Sequence, residues 1–170
     1  MANIMLKCSN CGKIKPLLAF GPNKTSSTGR QTHCRDCKNA NFKKNMRQNL
    51  SLYINHHFSS RISVNLGNLC PDDIHTRLEH YLGYKLSHLV HKLDKGCLKT
   101  YGFNLKVAIH DHDFHIDHVK PLVYFHVINE LGVDWSVFRL CWAMDNLEAI
   151  PAAVNLSKGS RYIEPGNAEQ

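Results

Sequence analysis

No stretch of this sequence approaches the roughly 18 consecutive apolar residues that a bilayer-spanning helix requires. The longest apolar run, residues 122–128, is broken by His126. A helical membrane span is therefore not expected. Nor is there room for a signal peptide's apolar region, because Lys7 and Cys8 arrive within the first eight residues. The expectation is a soluble, cytoplasmic chain in a reducing compartment, with no membrane partner. With 43% hydrophobic and 21% charged residues, collagen, wholesale disorder and a pure coiled coil are also excluded. The 170 residues suit one medium domain, or a compact domain with a small appendage. At that size about 70% of the unfolded surface can be buried.

Acidic residues are scarce in one place. Residues 1–50 contain Asp36 and no other carboxylate. Ten basic side chains accompany it (Lys7, Lys13, Lys15, Lys24, Arg30, Arg35, Lys38, Lys43, Lys44 and Arg47), a local net charge of +9 against +7 for the whole chain. The remainder carries −2. Such asymmetry points to a polyanion partner for the first segment. Lys43, Lys44 and Arg47 lie in the polar stretch 38–49, expected as a helix, and are the candidate phosphate contacts.

Four of the seven cysteines form two pairs, Cys8-Ser-Asn-Cys11 and Cys34-Arg-Asp-Cys37, with 22 residues between them. Thiolates two residues apart bind one ion from a tight turn, and two such turns complete a tetrahedral zinc site. The intervening Pro16, Gly21, Pro22 and Gly29 with a Ser/Thr cluster are turn chemistry, so metal is expected to supply the stability. Two disulfides are the competing reading. They fit less well, because no secretion signal is seen and Cys70, Cys97 and Cys141 would stay unpaired. His33 is expected as a bystander to Cys34.

Residues 50–70 read as irregular. Asp72 and Asp73 start a helix whose apolar positions, Ile74, Leu78, Tyr81 and Leu82, run to Gly83. A second helix, through Leu86, Leu89, Val90 and Leu93, is expected to stop at Gly96. His75, His80, His88 and His91 fall between the apolar positions as a polar face. His110 and His112 read as a solvated approach to a strand ending at Asp117-His118 before Pro121. A second strand, 147–150, leads into a helix opened by Pro151 and capped by Gly159. Trp135, Phe138, Leu140, Cys141 and Trp142, between the strands, are expected in the core. Strand, excursion, strand and helix make a ββα unit of about 45 residues.

Asp117-His118 with Asn146, then Asn155 nine residues later and Lys158 three beyond, resembles the HNH (ββα-metal) nuclease motif. The likeness is closest to phage-type HNH endonucleases, in His115-Ile116-Asp117-His118-Val119 and Asp145-Asn146-Leu147. Many of those carry an N-terminal four-cysteine knuckle and a Leu-Gly helix pair, as at Leu82-Gly83. The resemblance spans most of 5–160, strongly over 114–160 and loosely over 45–110. It departs where many members have Cys-x-x-Cys before the last ligand, since Pro151 and Val154 stand there.

The resemblance implies an α+β fold, a small ββα-metal nuclease module preceded by helices and an N-terminal zinc knuckle. The expected boundaries are 1–45 for the knuckle, 46–109 for a helical linker, 110–162 for the module and 163–170 for a tail. It implies phosphodiester hydrolysis with Mg²⁺ (or Mn²⁺) held by Asp117 and Asn155, oxygen donors suited to a hard ion. His118 would be the general base, and Asn146 would fix its loop and ring. Lys158 and Arg161 would meet DNA phosphates. His115 shares a strand face with Asp117, as either an orienting group or a structural one. A phage-encoded chain would work in the bacterial host cytoplasm. The alternative is a non-catalytic zinc-ribbon protein that binds nucleic acid.

Overall fold

The computed structural model describes residues 4–162; the tail expected at 163–170 lies outside the described residues. The fold is α+β, with most described residues helical and four two-stranded sheets. The chain divides between Asn49 and Leu50 into two compact units. That division differs from the expected boundaries, because the helices expected as a linker share one core with residues 114–147. No described helix is long and apolar enough to cross a membrane.

The first unit holds two hairpins and a helix. Strands β1 (Met5–Lys7) and β2 (Ile14–Pro16) pair antiparallel, as do β3 (Phe20–Pro22) and β4 (Arg30–Cys34). Gly12 turns the first hairpin at φ +71°, and its amide donates to the Cys8 carbonyl at 2.9 Å. Helix α1 (Arg35–Gln48) follows Cys34 directly. The core of this unit is small: Cys8, Phe20 and Cys34 are fully buried together, and Met46 of α1 is buried as well.

The second unit begins with α2 (Leu50–Leu66), in the segment read as irregular. Ile54, Phe58, Ile62 and Leu66 recur every fourth residue and are buried. The polar residues between them (His56, His57, Ser59 and Ser60) masked that stripe in the sequence. Next come α3 (Ile74–Leu82), ended by Gly83 in the left-handed region, and α4 (Leu86–Tyr101). Helix α4 runs through Gly96 to Gly102, past its expected stop. Gly96 lies on the exposed side, where a glycine costs about 1 kcal/mol relative to alanine without breaking a helix. Leu86, Leu89, Leu93 and Cys97 continue the buried stripe across it.

Helix α5 (Leu105–Asp111) is capped by Asn104, whose side chain accepts from the Val107 amide at 2.9 Å. His110 therefore ends a helix, and His112 caps it and stacks on Phe103; neither is part of a strand approach. Strand β5 (Phe114–His118) follows. After a small hairpin, β6 (Ile128–Asn129) and β7 (Gly132–Val133), comes α6 (Trp135–Cys141). Phe138, Cys141 and Trp142 are buried as expected, but Leu140 is 64% exposed on the solvent side of α6. Strand β8 (Leu147–Pro151) pairs antiparallel with β5, and α7 (Ala152–Lys158) starts after Pro151, its N-cap. The Ala152 amide donates to the Asp113 carbonyl at 2.9 Å, tying the start of α7 to the start of β5.

Candidate metal centre and candidate active site

In the first unit the β1–β2 turn presents Cys8 and Cys11. The β4–α1 junction presents Cys34 at the strand end and Cys37 in the first helical turn. The four sulfur atoms lie within 4.8 Å of one another. Cys8 Sγ and Cys37 Sγ are 3.8 Å apart. A tetrahedron with Zn–S bonds of about 2.3 Å has edges of about 3.8 Å, so the cluster has the size a zinc ion needs. Hydrogen bonds from the Cys11 and Cys34 backbone amides draw the Cys8 thiol down to about 5, against the effect of its burial. The Cys34 thiol is lowered too, chiefly by the Cys37 amide. At Cys8 and Cys34 preformed donors thus favour thiolate, the ligating form, whereas Cys37, against a hydrogen bond from Asn10, is pushed up to about 11 by the neighbouring thiols and burial. The four-cysteine site can hold a structural metal such as zinc. Among the described residues no other close His, Cys, Asp and Glu group of three or more occurs, and His33 stands outside this one.

On α1 the side chains of Lys43, Lys44 and Arg47 are exposed, and no described carboxylate pairs with them. The one acid in this unit, Asp36, is taken by Lys15 at 2.6 Å.

In the second unit β5, β8 and α7 bring the expected residues together. The register places Asp117 opposite Glu148 and His118 opposite Leu147. Directly opposed residues share a face, so Asp117, Glu148 and His115 face one side. Asn155 and Lys158, one turn apart on α7, reach the same side. With its amide nitrogen toward Asp117, Asn155 donates to both carboxylate oxygens, at 3.2 and 3.3 Å, and accepts from His115 Nδ1 at 3.2 Å. His115 therefore acts as a partner of Asn155.

Lys158, expected at DNA phosphates, is turned inward. Its ammonium donates to Asp117 Oδ2 at 2.9 Å and to the His118 carbonyl at 2.6 Å, and stands 3.5 Å from Glu148 Oε1. Arg161 is exposed and donates to the Lys158 and Ser157 carbonyls, closing the C-terminal end of α7.

His118 does not sit at an open surface cleft. It is 5% exposed, and its ring meets Trp142 edge to face at 4.6 Å. Among the described residues its Nε2 has no hydrogen-bond partner. Burial, then the charges of Arg61 and Lys158, push its pKa down to about 4 against the pull of Asp117. That is well below the ordinary histidine value of about 6.5.

Asn146 fixes the loop and leaves the ring to Trp142. Its amide accepts from the Lys120 N–H at 2.8 Å and donates to the Lys120 and Cys141 carbonyls at 3.1 and 2.7 Å. Its own carbonyl accepts from Val119 N–H at 2.8 Å. Tyr84 and Lys92 add donors from outside, to the carbonyls of Trp142 and Leu147 at 2.8 Å each.

Two residues near this site have little signal in the sequence. Glu148 lies two positions after Asn146, and only the strand register brings it to Asp117. Arg61 comes from α2, and the Ile54, Phe58, Ile62 spacing that defines that helix is its only signal. No protein-family model, curated protein or solved structure matches this chain.

Proposed function

We propose that this chain is a metal-dependent DNA endonuclease of the HNH kind, with the four-cysteine knuckle and its basic helix as accessory DNA contacts. The observation that carries the reading is His118. It is a neutral imidazole at the end of a strand, with an unpartnered ring nitrogen, next to a carboxylate and amide set on the adjoining strand face.

The groups that face the Lys158 ammonium are Asp117 Oδ2, the His118 carbonyl and Glu148 Oε1, all oxygens. A hard divalent cation takes that donor chemistry, so Mg²⁺ or Mn²⁺ fits the residues present. When bound, the ion would offset charge on the scissile phosphate. Asp117 would hold it, and Asn155 would join once its amide turns to present oxygen. Lys158 would give up Asp117 and remain as a neighbouring positive charge. His118 would accept the proton of the attacking water through its unpartnered nitrogen.

A second reading, a non-catalytic zinc-bound nucleic-acid-binding protein, is favoured by the Lys158–Asp117 ion pair, which already satisfies the carboxylate. Plasmid DNA incubated with Mg²⁺ or Mn²⁺ separates the two. The nuclease reading expects nicked or linear plasmid, arrested by EDTA. Asp117→Ala and Asn155→Ala should raise the metal concentration needed as well as lower the rate. Intact plasmid with DNA binding retained would favour the second reading.

The accessory role of α1 has its own measurement. Replacing Lys43, Lys44 and Arg47 by alanine should flatten the dependence of DNA affinity on salt, by a log–log slope of about 0.9 for each phosphate no longer neutralised. An unchanged slope would mean that these side chains form only a solvated surface.

A further inference from the structure

In the first unit the β3–β4 hairpin and the first turn of α1 frame a groove of about 530 Å³. Gly21 and Gln31 line it from the hairpin, and Arg35, Lys38 and Asn39 line it from the helix. Those three, at i, i+3 and i+4, share one side of α1. A hollow of about 260 Å³ has Gln31 and Lys38 in common with the groove and adds His33 and Asn23. No acid lines either one, and Asp36 is held by Lys15 at 2.6 Å. Among the described residues, the side chains of Gln31, Arg35, Lys38 and Asn39 have no hydrogen-bond or ion-pair partner. Yet Gln31 is half-buried, and its place is set by shape. A Cβ on Gly21 would come within 3.1 Å of Gln31 Oε1 and 3.2 Å of its Cδ, so the bare backbone of Gly21 seats that amide. The result is a planar donor and acceptor, both unspent, flanked by two unpaired cations.

We infer that Gln31 reads an adenine in the major groove of double-stranded DNA, with Arg35 and Lys38 on the phosphates beside it. The inference rests on the nucleic-acid binding that both readings above share, and not on cleavage. The amide selects the base. Adenine presents N7 as acceptor and N6–H₂ as donor side by side, which one glutamine meets with two bonds. Guanine presents two acceptors there, and the amide oxygen would face one of them. The cations need no particular base, since phosphate contacts fix register without carrying sequence. Duplex RNA is excluded by shape, because its major groove is too narrow for side chains to read.

Selection from a randomised duplex library tests this, using full-length, zinc-loaded protein with no added Mg²⁺ or Mn²⁺. The parent should enrich an adenine at one position. Gln31→Ala should lose that preference, roughly 10- to 100-fold, at that position alone. Gln31→Glu should move it to cytosine, whose N4–H₂ donates to a carboxylate. Gly21→Ala, which crowds the amide, should weaken the same preference. Lys38→Ala should instead lower affinity for all sequences alike and reduce the log–log salt slope by about 0.9. Zinc content equal to the parent's in each variant separates a lost contact from a lost fold. No adenine preference in the parent, or the parental preference kept in both Gln31 variants, would overturn the inference. Plasmid cleavage by a parent without that preference would do so while leaving the nuclease reading intact. An adenine preference that moves with Gln31→Glu, in a protein that cuts no plasmid, would uphold the base contact and remove the nuclease reading.

Discussion

His118→Ala is expected to lower plasmid cleavage by about 10²–10⁴-fold, the usual contribution of a positioned general base, with zinc content and DNA binding retained. The ring that would accept the proton is held edge-on to Trp142 at 4.6 Å and has an unpartnered Nε2. Because that ring is buried, its removal also leaves a void beside Trp142, so some loss of thermal stability accompanies the loss of rate. His118→Asn, which keeps a polar side chain of moderate size, separates the two effects. It should lose cleavage to the same extent while melting closer to the parent. Parental cleavage rates in both variants would remove His118 as the base and make His115 the next candidate.

The same burial predicts a pH signature that needs no activity. In the fold His118 takes a proton only near pH 4, whereas an unfolded histidine takes one near 6.5. Between those values the unfolded chain binds more protons, so stability falls as the pH drops from about 6.5 to about 4, by up to the order of 3 kcal/mol. Denaturation midpoints across that window should fall less steeply for His118→Asn than for the parent. An identical pH dependence would show that His118 is not held neutral. Cleavage, for its part, should show no inflection near 6.5, because the base form persists below that pH.

Local spacing made the strands, the last helix and the cysteine cluster legible, and long-range register hid the rest. Strands β5 and β8 and helix α7 could be read from the sequence because each carries its own punctuation: Pro121, Pro151 and Gly159. The cysteine pairs likewise state their geometry within four residues each. The inward turn of Lys158 depends on how α7 crosses the paired strands, and three residues past Asn155 is equally compatible with pointing outward. Glu148 meets Asp117 only through the antiparallel register. Helix α2 is hidden for another reason. Its buried residues recur every four positions while histidines and serines fill the gaps, so the polar residues outweigh the apolar stripe. Arg61 is hidden with it. A repeated four-residue interval, weighed before the polarity of the segment, reveals the helix.

The zinc prediction carries the larger free energy. Cys8, Phe20 and Cys34 are the fully buried residues of the first unit, and two of those three are thiols of the metal cluster. Phe20 contributes only about 1.5–3 kcal/mol by burial and Met46 of α1 no more than that, far too little to order a unit of this length. Structural zinc in comparable small modules supplies about 10–16 kcal/mol at neutral pH. The purified protein should therefore hold about one tightly bound zinc per chain, and Cys8→Ser should lose it along with the β1–β2 and β3–β4 hairpins. Both tryptophans and all six tyrosines lie beyond residue 50, so tryptophan and tyrosine fluorescence, and the tryptophan and tyrosine bands of the near-ultraviolet dichroism, report the second unit alone. Those signals should stay unchanged in Cys8→Ser, while amide exchange across residues 5–37 rises to the unprotected rate. Cys70→Ser, on the second unit, should keep the zinc. A first unit that remains protected in metal-free Cys8→Ser would show that its few apolar contacts suffice, and that the cysteine cluster has some purpose other than holding the fold.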